Sequence, residues 1–203
     1  MTTAAQPLVT TKLERQFDAL DADRDGTLEW SDYQSLCDRY LTAYRLTKDD
    51  HRARGLQAML QMNWTELLRH ASAGAGEGAS EGEVASEGAH RDRDPERLTK
   101  DQFVEAARLA SFDTSRFNVA EGSGHAIFDV IDADGDNEIS GEEFGRLVKD
   151  VWKSEAPGTM EAFHRLDTDG DGVISRQEFI RAMREYYFSD DPEAPGSLFF
   201  GRV

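Results

Sequence analysis

The sequence predicts an all-α protein whose helices are joined by acidic loops. Apolar residues recur at helical spacing through most of the 203 residues, and no segment shows a convincing strand alternation. Three loops share one twelve-residue layout, which predicts a repeated helix–loop–helix unit. A fourth loop keeps this frame but lacks its acidic residues. We therefore expect two pairs of such units, packed together into a compact globule.

The composition indicates an acidic protein. Forty Asp and Glu residues against 23 Lys and Arg give a formal net charge of −17, which opposes binding to nucleic acid or to an anionic membrane surface. No apolar run approaches the ~20 residues that cross a bilayer, and no signal peptide is recognisable. One cysteine, Cys37, cannot form an internal disulfide and fits a reducing compartment. We expect a monomeric, cytoplasmic protein.

The predicted helices follow one another along the chain. The first contains Leu13, Phe17 and Leu20, the second runs from Tyr33 to Leu41, and the third covers residues 51–71. Helical patterns resume at 99–110, 122–131, 141–153, 158–166 and 176–188. Residues 72–90 are rich in Gly, Ala, Ser and Glu, which predicts a flexible insertion. We assign residues 1–110 to an N-terminal pair of units and residues 111–203 to a C-terminal pair.

Three acidic loops carry a calcium-binding pattern. Loop one is DADRDGTLEWSD (21–32), loop three is DADGDNEISGEE (132–143) and loop four is DTDGDGVISRQE (167–178). Calcium takes six to eight oxygen ligands at about 2.3–2.6 Å, and a tight loop supplies them from positions 1, 3, 5, 7 and 12. The predicted ligands are Asp21, Asp23, Asp25, Thr27 and Asp32 in loop one, Asp132, Asp134, Asp136, Glu138 and Glu143 in loop three, and Asp167, Asp169, Asp171, Val173 and Glu178 in loop four.

The remaining loop positions agree with this interpretation. Position 6 must turn sharply with a positive φ, and it holds Gly26, Asn137 or Gly172, which tolerate that conformation. An apolar residue stands at position 8, and an aromatic residue follows position 12 in all three loops. Loops three and four also have Ser and Glu at capping-box spacing, which predicts the start of the exiting helix. Three matches with matched flanks identify these units as EF-hands.

Loop two, residues 91–102, has the frame of an EF-hand without its ligands. Leu98 falls at position 8 when Phe103 is aligned with the aromatic residues that follow the other loops. Positions 1, 3, 5 and 12 hold Arg91, Arg93, Pro95 and Gln102. Cations at two ligand positions repel calcium, so we expect no metal here. EF-hands work in pairs, and we expect Leu98 to pair with Leu28 at position 8 of loop one; the alternative is an ordinary linker that enters a helix.

A silent second loop among three binding loops resembles the sarcoplasmic calcium-binding proteins, and most of all their bacterial, calerythrin-type members from actinomycetes. The resemblance also rests on AIFDVIDADGDNEISGEEF, FHRLDTDGDGVISRQEF and the tail YYFSDDPEAPGSLFFG, and it spans about residues 8–201 apart from the insertion. It implies a compact pair of EF-hand pairs with a calcium-buffering or transport role. We expect no enzymatic activity, because the histidines form no H-x-x-x-H pair and no glycine-rich phosphate loop follows a strand.

Loop one differs from the others at position 12. Asp32 is one methylene shorter than the glutamates of loops three and four, which lowers the coordination number toward six. Six-fold geometry suits magnesium better than calcium. We therefore expect three calcium sites, with magnesium competing most strongly at loop one.

Two other functions remain open beside calcium buffering. A calcium sensor exposes an apolar groove for a target helix, often one rich in Met, but the five Met residues do not cluster here. The tail residues Leu198, Phe199 and Phe200 are expected to fill such a groove; the alternative is a frayed terminus. Calcium-triggered photoproteins and luciferin-binding proteins share the pattern of loops one, three and four, and Trp30, Trp64 and Trp152 are available to line a cavity for an apolar ligand. The sequence predicts no particular protein target.

Overall fold

The computed structural model describes residues 7–74, 96–112, 119–153 and 159–198. Within these residues the helices are α1 (Leu8–Leu20), α2 (Trp30–Ala43), α3 (His51–Gly74), α4 (Lys100–Phe112), α5 (Val119–Ile131), α6 (Gly141–Arg146), α7 (Thr159–Leu166) and α8 (Arg176–Phe188). The strands are β1 (Thr27–Leu28), β2 (Leu98–Thr99), β3 (Glu138–Ser140) and β4 (Val173–Ser175). None of the described helices is both long and apolar enough to span a bilayer.

The four short strands join the helix–loop–helix units in pairs. β1 pairs antiparallel with β2, so that Leu28 lies opposite Leu98. β3 pairs antiparallel with β4, with Ile139 opposite Ile174. The predicted pairing of loop one with the silent loop two is therefore confirmed, although residues 91–95 of loop two lie outside the described residues.

Aromatic contacts hold each pair together beneath its two strands. In each contact, the helix before one loop meets the helix after the partner loop, and the ring centroids lie 5.8 Å apart. The rings are all buried, which places the apolar faces of the paired units against each other. The contacts are Phe17–Phe103, Phe128–Phe179 and Phe144–Phe163.

The two pairs share one hydrophobic core. Tyr40 on α2 is fully buried and meets Trp152 edge to face, with ring centroids 6.3 Å apart. Asn63 on α3 donates a hydrogen bond of 2.9 Å to Ser123 on α5. These contacts cross the proposed boundary at residue 110, and they confirm the predicted compact globule of two EF-hand pairs.

The expected helix over residues 141–153 is shorter than its pattern indicates. α6 ends at Arg146 and continues as a π-helical turn over Leu147–Val151, which the amide of Trp152 closes by donating to the Leu147 carbonyl at 3.0 Å. In this wider turn the Val151 carbonyl accepts a hydrogen bond of 3.0 Å from Arg39 on α2. A contact with the other pair therefore accompanies the departure from regular helix.

The predicted insertion and tail are described only in part. Residues 72–74 continue α3, and residues 75–90 lie outside the described residues. In the tail, Gly196 lies so close to the Ala182 carbonyl on α8 that a Cβ atom would approach it to 2.0 Å. Ser197 is 1% exposed. The tail thus docks on α8 as far as Ser197, while the side chains of residues 198–200 lie outside the described part.

A buried lysine fastens this tail to α1. Lys12 is 1% exposed, and its ammonium donates to the carbonyls of Glu185 and Ser189 at 3.1 and 2.7 Å and to Ser197 Oγ at 3.3 Å. Burial lowers the pKa of Lys12 to about 8, although the charges of Asp190 and Glu185 act to raise it. The first helix and the C-terminal segment are therefore joined through one cation.

Candidate metal sites

Each predicted binding loop brings its first three aspartates together. One carboxylate oxygen from each of positions 1, 3 and 5 lies within 4.8 Å of the other two. The position-1 aspartates of loops three and four are buried, and those at positions 3 and 5 of all three loops are exposed. The clusters are Asp21, Asp23 and Asp25, then Asp132, Asp134 and Asp136, then Asp167, Asp169 and Asp171.

The carboxylate at position 12 folds back into each loop. Asp32, Glu143 and Glu178 are only 6–7% exposed. In loops three and four, one glutamate oxygen accepts from the amide of position 2 at 2.8 and 2.7 Å, and the other accepts from the amide of position 9 at 2.9 Å. Asp32 makes the same two hydrogen bonds, but its bond to the position-2 amide is 3.4 Å long.

The turn at position 6 matches the prediction. Gly26, Asn137 and Gly172 have φ angles of 83°, 68° and 94°. Each of their amides donates to the position-1 carboxylate of its own loop, at 3.1, 3.0 and 3.0 Å. The left-handed residue therefore turns the chain and orients the first carboxylate in the same step.

Position 7 is the first residue of a strand in all three loops. Thr27, Glu138 and Val173 open β1, β3 and β4. The strand pairing therefore fixes their backbone, and the pattern predicts the carbonyl of position 7 as a further oxygen ligand.

The electrostatics of the loops are not identical. Burial acts to raise the pKa of Glu178, but hydrogen bonds from Thr168 and Ser175 outweigh it and hold that pKa at about 2. Burial raises the pKa of Asp132 despite the hydrogen bonds from the amides of Asn137 and Gly135. Hydrogen bonds therefore stabilise the anion of Glu178 at position 12 of loop four, whereas burial outweighs the hydrogen bonds that Asp132 accepts at position 1 of loop three.

The loop motif does not predict one residue that contacts loop one. Arg97, at position 7 of the silent loop two, places its Nη2 atom 2.5 Å from Asp25 Oδ2 and 2.6 Å from Glu29 Oε1. Hydrogen bonds from the side chain and amide of Thr27, followed by Arg97, lower the pKa of Asp25. A protein cation thus lies on a predicted ligand of site one.

Loop one contains two further departures from the motif. Glu29 and Asp32 form a capping box at the start of α2, where loops three and four use Ser and Glu. Arg24 at position 4 has a φ of 60°, whereas the equivalent residues of the other loops are Gly135 and Gly170. A left-handed conformation is less favourable for a residue with a Cβ atom, so loop one carries a local cost that the other two avoid.

The arrangement fits a hard divalent cation. In each loop three aspartate carboxylates converge, and a fourth carboxylate stands at position 12 of the same twelve-residue segment. Carboxylates at alternate positions and one strand carbonyl provide the ligand set that calcium prefers. Within the described residues no comparable cluster includes histidine or cysteine. Cys37 on α2 is buried in the core, and burial raises the pKa of its thiol.

Family models match two parts of the chain. Residues 125–184 match the EF-hand domain pair, and residues 13–37 match the EF hand. No curated protein matches the chain in sequence. The two matched segments contain loops three and four and loop one, respectively.

Solved structures show the same fold at low sequence identity. A calcium-binding protein of Streptomyces coelicolor is 22% identical over 88% of this chain and 97% of its own, with a TM-score of 0.63. The coelenterazine-binding protein of Renilla muelleri is 21% identical over 96% of each chain, with a TM-score of 0.59. The magnesium-loaded ctenophore photoprotein apo-berovin is 19% identical over 87% of this chain and 86% of its own, with a TM-score of 0.61.

Proposed function

We propose that this calcium-binding EF-hand protein is a cytoplasmic calcium buffer that binds three ions, one in each of loops one, three and four. The observation that carries the proposal is the repeated geometry of the loops, in which three aspartates converge and a buried position-12 carboxylate closes the site. The same fold in the Streptomyces coelicolor calcium-binding protein also supports calcium binding, and the resemblance of the loop and tail sequences to the calerythrin-type members of the sarcoplasmic group supports a buffering role.

Buffering is favoured over sensing because the apolar faces already have partners. The two EF-hand pairs bury their inner faces in one core, and the tail packs on α8 through Gly196 and Ser197. A sensor must open such a surface when it binds calcium, whereas a buffer barely changes. Opening here would separate Tyr40 from Trp152 and break the hydrogen bond from Arg39 to Val151.

Magnesium is expected to compete, most strongly at loop one. The long contact of Asp32 with the position-2 amide shows that its carboxylate reaches less far into the loop than the glutamates do. A six-coordinate ion needs less from this residue than calcium does. In magnesium-loaded apo-berovin, which has the same fold, all three calcium-binding loops bind magnesium.

A calcium sensor is the second candidate, and one surface feature favours it. Phe112 and Phe188 are 70% and 41% exposed, and their rings meet edge to face with centroids 5.7 Å apart. The Streptomyces coelicolor protein is described as acting in calcium-mediated regulation. An exposed aromatic pair is a possible contact for a target protein.

The sizes of the internal cavities give less support to the alternative function of binding a luciferin. Between the two pairs, Tyr33, Asn63, Phe103 and Tyr187 are among the residues that line a cavity of about 30 Å³. Sites for drug-sized organic ligands are about 300–1,000 Å³. This cavity is about tenfold too small for such a ligand, whereas a second cavity of about 240 Å³, with Trp30, Cys37 and Leu60 in its lining, lies just below that range. Trp64 instead packs against Tyr33, with ring centroids 5.3 Å apart.

The proposal can be tested with one site-resolved titration. The amides of Gly26, Asn137 and Gly172 each donate to the position-1 carboxylate of a different loop, so their NMR resonances report the three sites separately. We expect calcium to shift all three, with Gly26 responding at the highest calcium concentration and the most affected by millimolar magnesium. Calorimetry should give three ions, and a hydrophobic dye should gain no fluorescence.

Other outcomes separate the candidates. A rise in dye fluorescence on adding calcium would favour the sensor, and Phe112→Ser would then reduce that rise. A coloured or fluorescent small molecule that copurifies with the protein would favour the luciferin-binding function. If any of the three amides did not respond to calcium, the three-site proposal would be wrong.

A further inference from the structure

Residues of the N-terminal pair form hydrogen bonds with the backbone at both ends of loop three. The hydroxyl of Tyr44, a residue that is 6% exposed, donates a hydrogen bond of 2.8 Å to the carbonyl of Glu143. The guanidinium of Arg52 donates to the carbonyls of Asp132 and Ala133, at 3.3 Å each. These three carbonyls belong to positions 12, 1 and 2, which are the two ends of the loop.

Both donors are themselves held in place. Tyr44 caps the C-terminus of α2, and its amide donates to the Tyr40 carbonyl at 3.0 Å. Asp50 precedes α3 and accepts from the amide of Arg52 at 2.8 Å, from Nε at 3.3 Å and from Nη2 at 3.2 Å. The guanidinium therefore reaches loop three from a fixed position, with its charge already compensated.

Within the described residues, loops one and four each make a side-chain contact inside their own half of the chain. Arg97 reaches loop one from loop two, over residues of the N-terminal pair. Arg176 in loop four donates to Asn137 of loop three at 2.8 Å, within the C-terminal pair. The hydrogen bonds from Tyr44 and Arg52 to loop three differ from these contacts because they connect the two pairs.

We propose that Tyr44 and Arg52 are positioning residues for calcium at site three, which the N-terminal pair thereby preorganises. The inference rests on the proposed function of loop three as a calcium site. Fixing the backbone at positions 1, 2 and 12 orders the residues that carry the Asp132 and Glu143 carboxylates before the ion arrives. Ordering that precedes binding lowers the entropic cost of binding and so increases affinity.

Removing the hydroxyl of Tyr44 tests this directly. Tyr44→Phe leaves the ring in the core and deletes one hydrogen bond, so we expect the calcium Kd of site three to rise about three- to tenfold. Tyr186→Phe is the matched control, because Tyr186 is 1% exposed and donates a similar bond of 2.6 Å to the Lys12 carbonyl, outside all loops. The Asn137 amide is the readout, with Gly26 and Gly172 as internal references.

Arg52→Gln distinguishes positioning from simple electrostatics. Removing a cation close to a calcium site, and depriving Asp50 of the guanidinium, tightens calcium binding if charge alone matters. The positioning role predicts the opposite, a weaker site three, because two hydrogen bonds to the loop are lost. Tighter binding at site three in this variant would overturn the proposal.

The experiment separates failure of this inference from failure of the proposed function. If the Asn137 amide does not respond to calcium in the unmodified protein, loop three is not a site and both fail. If it responds, but Tyr44→Phe leaves its Kd unchanged or weakens all three sites equally, only the positioning role fails. Melting temperatures of both Tyr→Phe variants, measured with calcium, show whether each fold is retained.

Discussion

Replacing Asp32, the position-12 residue of loop one, by the longer glutamate should strengthen calcium binding at site one. In loops three and four the glutamate reaches the position-2 amides of Ala133 and Thr168 at 2.8 and 2.7 Å, whereas Asp32 lies 3.4 Å from the amide of Ala22. The shortfall is 0.6–0.7 Å, and one additional methylene extends a side chain by about 1.5 Å. Asp32→Glu should therefore bring both carboxylate oxygens into the loop.

The expected gain can be bounded from the interaction that is added. An ionised oxygen in a charge-assisted contact contributes about 1.5–3 kcal/mol. Ordering the additional side-chain torsion costs roughly 0.5–1 kcal/mol. The net gain of about 1–2 kcal/mol corresponds to about a tenfold lower calcium Kd at site one. Magnesium should gain less, because its six-fold geometry does not use a second oxygen from this residue.

Calorimetry with and without millimolar magnesium would measure both effects, and the Gly26 amide would assign them to site one. Glu143→Asp is the reciprocal control: it should weaken calcium binding at site three and increase the relative binding of magnesium there. An unchanged or higher calcium Kd in Asp32→Glu, with the fold intact, would refute the argument from reach. Equal gains for both metals would refute the argument from coordination number.

Three other predictions concern charge. Arg97→Gln removes the cation on Asp25, so calcium should bind site one more tightly; an unchanged Gly26 titration would contradict this. Chelating the bound metal should lower the melting temperature, because three divalent ions add six positive charges to the net −17. Without them, the carboxylates within each loop repel one another. An unchanged melting temperature would show that metal binding and folding are not coupled. Burial lowers the pKa of Lys12 from 10.5 to about 8, so the folded state binds fewer protons than the unfolded state between these pH values. The free energy of unfolding should therefore rise with pH from about 8 to 10.5. Urea titrations of the wild type and Lys12→Met should show this rise in the wild type alone.

The local geometry of the loops could be predicted from the sequence because short-range rules determine it. The left-handed φ of Asn137 follows from its place at position 6, and the capping boxes at Ser140 and Ser175 follow from their spacing to Glu. The pairing of Leu28 with Leu98 also follows, because paired EF-hands align at position 8. Each of these features depends on residues within one unit or its direct partner.

The features that distinguish the sites could not be predicted in the same way. Arg97 contacts a residue 72 positions earlier in the chain, and Tyr44 contacts one 99 positions later. Lys12 finds its acceptors 173 to 185 residues away. No periodicity or motif predicts these long-range contacts, because they depend on how the helices and loops pack in the folded protein. The π-helical turn after α6 belongs to the same class, since Val151 meets Arg39 across the interface.

The consequence is that three loops with one ligand pattern do not form three equivalent sites. Loop one combines a short position-12 carboxylate, a left-handed Arg24 and a competing Arg97. Loop three has a left-handed Asn137 at position 6, which is less favourable than glycine there, but hydrogen bonds from the N-terminal pair fix both its ends. Loop four has Gly at both left-handed positions and a strongly hydrogen-bonded Glu178. Because these differences are expected to change the affinity of each loop, we predict calcium uptake in stages over a wider concentration range than three identical sites would give, which suits the proposed buffer better than a switch.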